Sequence, residues 1–431
     1  MITFIRVVLL ALVRLFYPVR YVRHPGRLPT RGPFIVVANH PNGLLDPLIV
    51  RLATRVPMHF LAKSTLFGNP VGRAAMKAFG GIPVYRSRDG EDTTKNDRTF
   101  ALCRDALSAG RNIALFPEGT SHSDPAMKPL KTGAARIALS AIEAGAVSGP
   151  LPIVAAGLLF EDKTTFRSAV SVTFAEPIDV AEFAREHGTG FAAAEALTSR
   201  IHSAMADVLL EAESSEVWRG LLLVAAYTDP ACRDDLALRH ARAQTLARVY
   251  RSLLASRPND AEALAEQVRR FVRELEELGI EDPLALEGSS GRSAWWYAAP
   301  IVLFAPVAAF GALLGWLPYR LVRPLSVKLA GRHDDLIGTI KLLAGLAVLS
   351  VTYVAEALVA GWFWGPVAGA ATFVLAPVAG YVALRYGERV ERRKALLSAA
   401  WLRATAKDKA DAVRRSREAL VSRVDELLRG D

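Results

Sequence analysis

Apolar positions fall into three regimes along the 431-residue chain. From about residue 31 to residue 190, short apolar runs of strand length alternate with longer stretches at helical spacing. The runs predict strands at 34–38, 58–62, 82–85, 112–116, 153–159 and 171–174. The spacing between them predicts helices over 46–54, 72–79, 94–109 and 133–144. This alternation defines an α/β fold with a largely parallel sheet and flanking helices. Residues 191–290 carry helical periodicity with few strand signals, and Pro230, Pro258 and Pro283 punctuate them. They predict a helical accessory region.

The third regime is almost purely apolar. It covers residues 295–319 and 342–384, and the second block is interrupted only by Glu356 and by a break running from Gly361 to Pro366. A helix that crosses a bilayer needs about 20 apolar residues. The second block therefore holds two transmembrane helices, with tryptophans at an interfacial turn. The first block contains Pro300 and Pro306 and reads as a re-entrant or in-plane hairpin. That arrangement keeps the basic segment with Arg320, Arg323, Lys328 and Arg332 on the same side as the basic tail. Glu356 is either a buried polar contact or a functional group. The domain limits that follow are 1–30 for an N-terminal element, 31–190 for the catalytic domain and 191–290 for the accessory region. The hairpin occupies 294–319, the two membrane helices 340–384, and a basic amphipathic C-terminal helix 385–431.

The N-terminal run, residues 2–17, is apolar but is cut by Arg6 and Arg14. A signal peptide places its charge ahead of the apolar run and a small-residue cleavage site after it. An interfacial helix with snorkelling arginines fits this pattern better. The first 45 residues contain no acidic residue. The whole chain has a formal charge of +10, which calls for an anionic partner. Because the basic residues flank apolar runs, that partner is membrane lipid rather than nucleic acid. The only cysteines, Cys103 and Cys232, give neither a disulfide framework nor zinc-ligand spacing, and suit a reducing compartment.

Three loops carry candidate chemistry. The expected strand 34–38 gives way to Asn39, His40, Pro41, Asn42 and Gly43, with Asp46 six residues past the histidine. A histidine oriented by a carboxylate can take a proton from a hydroxyl. A Gly80-Gly81 pair then leads through a strand to Arg86, with Arg88 and Lys95 beyond, and these cations suit a phosphate. The strand at 112–116 ends in Pro117, Glu118, Gly119, Thr120, Ser121 and His122, and Lys131 opens the next helix. Glu118 can accept from substrate hydroxyls, and Lys131 can meet an anion at a helix start. Taken singly, each loop is as well explained by a turn, a solvated charged surface or a packed histidine.

Together the loops resemble the phospholipid/glycerol acyltransferase family, also called the lysophosphatidate acyltransferase family, over roughly residues 30–180. The match rests on the His40–Asp46 pair, Gly-Ile-Pro-Val-Tyr-Arg ending at Arg86, and Phe-Pro-Glu-Gly ending at Gly119, in the family's order. Leu151-Pro152-Ile153 resembles a fourth motif. Two departures, five residues between His40 and Asp46 and Ser121 where the family usually has arginine, resemble the fungal-type glycerol-3-phosphate/dihydroxyacetone-phosphate branch.

The resemblance implies a glycerolipid acyltransferase fold and a membrane-bound O-acyltransferase of phosphatidic acid biosynthesis. His40 acts as general base, and Asp46 orients it. Arg86, Glu118, Gly119, Thr120, His122 and Lys131 bind substrate, and Arg86, Lys131 or His122 replaces the missing arginine. The acyl donor is acyl-CoA or acyl carrier protein, with no other cofactor and no metal. The acceptor is glycerol-3-phosphate or 1-acylglycerol-3-phosphate. The catalytic domain is expected at the cytoplasmic face of the inner membrane. Remodelling of other lysophospholipids and a non-catalytic lipid-binding scaffold are the alternatives.

Overall fold

The computed structural model describes residues 2–86, 89–288, 294–331 and 334–429. They divide into two compact units. The first contains residues 1–218, 235–240 and 332–339, and the second contains the remainder.

The first unit is built on a sheet of eight strands: β1 (Val19–Arg23), β2 (Ile35–Ala38), β3 (Met58–Lys63), β4 (Gly81–Val84), β5 (Asn112–Leu115), β6 (Pro152–Phe160), β7 (Ala169–Phe174) and β8 (Ile178–Asp179). The strand order is β1-β7-β6-β2-β5-β3-β4, with β8 paired to β6. Strands β2, β3, β4, β5 and β6 run parallel, so Ile35 of β2 lies beside Ile113 on one side and Ile153 on the other. Ile35, Val36 and Val37 are all fully buried. Such double-sided burial accounts for the unbroken apolar runs of the sequence.

Helices α1 (Ile2–Phe16), α2 (Leu45–Thr54), α3 (Pro70–Ala78), α4 (Asn96–Ser108), α5 (Gly133–Glu143), α6 (Val180–His187) and α7 (Phe191–Ala206) complete this unit. The helix starts follow local chemistry: Asn69 accepts from the Gly72 N–H, and Pro70 supplies a pre-set φ at the first position of α3. Ile35, Val37, Ile113, Leu115, Ile153 and Ala155 form one core cluster with the buried faces of α4, α5 and α7.

The sheet is largely parallel, as expected, with only the pairs β6–β7 and β6–β8 antiparallel. The structure departs from the sequence reading in two places here. The arginine-rich stretch after α1 contains β1, which pairs in parallel with β7. Helix α7, assigned from sequence to the accessory region, belongs to the core of the first unit: Ala193, Ala194, Leu197, Ile201 and Met205 are buried in it.

The second unit is helical. It holds most of α8 (Ser215–Thr228), α9 (Ala231–Asp234), most of α10 (Leu236–Ser256), α11 (Pro258–Glu277), α12 (Ala285–Gly288), α13 (Ala294–Ala330), most of α14 (Ile337–Trp364), α15 (Pro366–Thr405) and α16 (Lys407–Arg429). Helix α13 is continuous for 37 residues, through Pro300 and Pro306, so the expected hairpin does not form. Its backbone comes so close to α15 that a Cβ on Gly311 would lie 2.1 Å from the Ala379 carbonyl oxygen. This is small-residue helix packing of the kind common among apolar helices. The break between α14 and α15 falls at Gly365, whose φ of 87° is left-handed. Helices α14 and α15 are both long and apolar enough to cross a membrane. They expose large side chains such as Val351, Leu358, Trp362, Trp364 and Val367, as suits membrane association. The tail helix α16 is amphipathic, burying Ala410, Val413, Leu420 and Val424.

Candidate active site

Because β2, β4 and β5 run parallel, the loops that follow them leave the same edge of the sheet. Ligands of open parallel sheets gather at this edge. His40 stands two residues past β2, Arg86 two past β4, and Glu118 three past β5.

The first loop is fixed from several directions. The Asn39 side chain bonds the backbone of Leu158 as both donor and acceptor. Asp46 lies in the first turn of α2 and is fully buried. Its Oδ2 is 2.8 Å from His40 Nδ1 and accepts the Asn42 N–H at 2.7 Å. Burial pushes the Asp46 carboxyl above the ordinary carboxylate range, opposed by its hydrogen bonds and by the charge of His40. The buried carboxylate requires a donor at Nδ1, so the lone pair of the neutral ring sits at Nε2. The imidazole stacks on Phe116, with ring centroids 4.0 Å apart and planes at 11°. These contacts leave the ring little freedom.

Asn42, also fully buried, donates to the Tyr17 hydroxyl and to the Lys163 carbonyl, and Tyr17 donates to the same carbonyl. Tyr17 follows directly on α1, which therefore ends against the His40 loop. Lys163 Nζ donates to the Pro41 carbonyl and to Ser123.

The Glu118 loop is equally internal. Gly119 N–H closes a turn onto the Phe116 carbonyl, and Lys131 N–H bonds the Pro117 carbonyl. Glu118 is buried. Its Oε2 accepts the Lys128 N–H at 2.8 Å and pairs with His122 Nε2. The Glu118 Oε1 oxygen has no partner among the described residues. His122 Nδ1 accepts the Asp124 N–H at 3.2 Å, so Nε2 carries the proton given to Glu118. The His122 N–H bonds the His40 carbonyl at 3.1 Å, joining the first and third loops. Thr120 Oγ1 donates to the Ser121 carbonyl. Lys131 is exposed at the foot of α5.

Arg86 joins the second loop to the third. Its Nη1 donates to the Gly119 carbonyl at 2.9 Å, while Nε and Nη2 hold Asp89 at 2.8 and 2.7 Å. Each of its three nitrogens thus makes a contact within the protein. Arg88 lies outside the described residues. Lys95 sits 5.6 Å over the Tyr85 ring. The structure therefore gathers His40, Asp46, Arg86, Glu118, Gly119, Thr120 and His122 at one sheet edge. Sequence reasoning missed Tyr17, Asn42 and Lys163. A buried asparagine inside a histidine–carboxylate loop was the available signal. Nothing local marks Lys163, 121 residues from Asn42.

A buried carboxylate and the histidine it holds thus stand at the open edge of the parallel strands. Residues 20–158 match the family model described as Acyltransferase. A lyso-ornithine lipid O-acyltransferase from Pseudomonas aeruginosa is 35% identical over 133 residues, covering 31% of this chain and 46% of the relative. Glycerol-3-phosphate O-acyltransferase 2 from Saccharomyces cerevisiae is 35% identical over 85 residues, 20% of this chain and 11% of that protein. A 1-acyl-sn-glycerol-3-phosphate acyltransferase from Chlamydomonas reinhardtii is 29% identical over 144 residues, 33% and 41% of the two chains. The chain spans less than half the length of each of these curated relatives.

Proposed function

We propose that the protein is a membrane-bound O-acyltransferase of lipid biosynthesis. It moves a fatty acyl group from acyl-CoA or acyl carrier protein to the hydroxyl of glycerol-3-phosphate or 1-acylglycerol-3-phosphate. The observation that carries this reading is the 2.8 Å contact between His40 Nδ1 and the buried Asp46, which leaves Nε2 as the basic nitrogen.

In this mechanism Nε2 takes the proton of the acceptor hydroxyl as its oxygen attacks the thioester carbonyl. The ester C–O bond forms, the C–S bond breaks, and the thiolate leaves with the bonding pair. The imidazolium then protonates the thiolate, and Asp46 stabilises the imidazolium in between. A thioester already carries a good leaving group, and a positioned base contributes about a hundredfold to ten-thousandfold. Direct transfer also suits the cysteines. Burial pushes the Cys103 thiol up to about 12, so it is not a nucleophile at neutral pH. Glu118, Gly119 and Thr120 line the acceptor side, and Arg86 and Lys131 supply positive charge there. Helices α14 and α15 and the basic flanks hold the domain against lipid, at the cytoplasmic face of the inner membrane.

A second acceptor class has its own support. Arg86 is engaged by Asp89, Ser121 stands where the family usually has arginine, and the Pseudomonas relative is named for lyso-ornithine lipid. The deciding experiment offers palmitoyl-CoA to the full-length protein in detergent, with glycerol-3-phosphate, 1-acylglycerol-3-phosphate and lyso-ornithine lipid in separate reactions. Product with an acceptor, absent in His40→Ala, supports the reading and names the acceptor. Undiminished transfer by folded His40→Ala overturns the base assignment.

A further inference from the structure

The chain between α13 and α14 does something no sequence motif announces. Residues 334–339 belong to the catalytic unit and sit against its loops. They form a short 3-10 turn, Asp334–Leu336, followed by the start of α14.

Two contacts with the His40 loop are close enough to demand glycine. A Cβ on Gly43 would lie 2.9 Å from Leu336 Cδ2 and 3.0 Å from the Asp335 carbonyl oxygen, and the Gly43 φ of 43° is left-handed as well. A Cβ on Gly338 would lie 2.7 Å from Asn42 Oδ1 and 2.8 Å from the Lys163 carbonyl oxygen. The segment is therefore seated on the loop that holds His40 and Asp46.

The same segment also holds the acceptor loop. Asp335 is buried, 7% exposed, and its carboxylate accepts the hydroxyl of Ser121. Ser121 lies between Thr120 and His122, and the His122 N–H is bonded to the His40 carbonyl. A buried carboxylate strongly favours a fixed donor. Orienting Ser121 thus orients the backbone that follows Glu118, Gly119 and Thr120.

We propose that Asp335 is a positioning residue of the acceptor site, clasping the Glu118–His122 loop to the His40–Asp46 loop through Ser121. The catalytic domain is completed by a residue from outside the acyltransferase-family match, located on the connection between two apolar helices. The kinetic part of this inference rests on the acyl-transfer reading. The structural part does not.

The test uses the full-length protein in detergent and two readouts. In acyl transfer, Asp335→Ala and Ser121→Ala each raise the acceptor KM about three- to tenfold, the cost of one buried hydrogen bond. The donor KM stays constant. The double variant is no worse than Asp335→Ala alone, because Ser121→Ala then removes no interaction that remains. Asp335→Asn, which keeps an acceptor oxygen, restores the KM to within about twofold. The second readout is amide hydrogen exchange. Asp335→Ala raises exchange in the peptide covering 119–124 and leaves the peptide covering 152–160 unchanged.

If the wild type transfers no acyl group but the exchange change appears, the clasp stands and the acyl-transfer reading falls. If the wild type transfers and neither acceptor KM nor exchange responds to Asp335→Ala, the clasp is wrong. Multiplicative losses in the double variant, or equal rises in donor and acceptor KM, also overturn it.

Discussion

Two histidine–carboxylate pairs lie in neighbouring loops, and they are built to different ends. His40 gives one nitrogen to Asp46, and no described residue bonds the other. His122 uses both, Nε2 toward Glu118 and Nδ1 toward the Asp124 N–H. The first ring is stacked flat on Phe116 with a lone pair to use. The second is fully engaged in its own loop, and its backbone holds the His40 carbonyl. The pairing of histidine with a carboxylate therefore does not by itself mark a base. What separates the two is the unspent nitrogen.

The largest expected contrast comes from deleting each ring. His40→Ala should lower kcat about a hundredfold to ten-thousandfold, and cost a few degrees of melting temperature because the buried Asp46 loses its imidazole donor. His122→Ala should lower kcat/KM by about tenfold or less and cost a few degrees of melting temperature, since it removes the donor to the buried Glu118. Side-by-side kinetics and calorimetry measure both, and equal kinetic losses would break the comparison.

Asp46→Asn sharpens it through pH. The folded-state pKa of Asp46 is raised by burial. The native state therefore holds its proton more tightly than the unfolded chain, whose carboxyl titrates near about 3.9. Its stabilising contribution is complete below that value and is lost as pH rises through the folded pKa. Asp46→Asn should thus melt above the wild type at pH 7, with the advantage fading as pH falls through the raised folded-state pKa and gone below about 4, while kcat drops by about a hundredfold. A melting point below wild type at pH 7 and unchanged at pH 4 would reverse the assigned direction.

Arg86→Lys keeps the charge but loses the fork that reaches Asp89 and Gly119 together. A several-fold rise in acceptor KM, on the order of threefold to tenfold, is expected from steady-state kinetics. Tyr17→Phe should be the mildest change. It removes the hydroxyl between Asn42 and the Lys163 carbonyl and should cost about 1 kcal/mol in denaturant unfolding, with kcat within about threefold of wild type.

How much of this was legible depended on distance along the chain. Asp46 is six residues from His40, and the strand that precedes them is unmistakably apolar, so that pair could be read directly. The parallel core strands were equally plain, because burial on both faces leaves no polar alternation. Strand β1 was hidden: Val19, Tyr21 and Val22 alternate irregularly with arginines, and only β7, some 150 residues on, makes them a strand. Prolines misled at α13. Pro300 and Pro306 suggested a turn, yet a helix packed on small residues tolerates them. The Arg86–Asp89 pairing, the Lys163 bridge and Asp335 each depend on loop geometry that no spacing encodes.

The Ser121–Asp335 bond also has a consequence in time. The two partners are 214 residues apart. At a synthesis rate of roughly 5–20 residues per second, about 10 to 40 seconds separate their emergence from the ribosome. The sheet and its histidine can be in place well before α13 and the turn after it exist. A nascent chain would then hold the Glu118–His122 loop without its Asp335 partner until its apolar helices begin to arrive, and a first unit released early, by truncation or stalling, would lack that bond altogether.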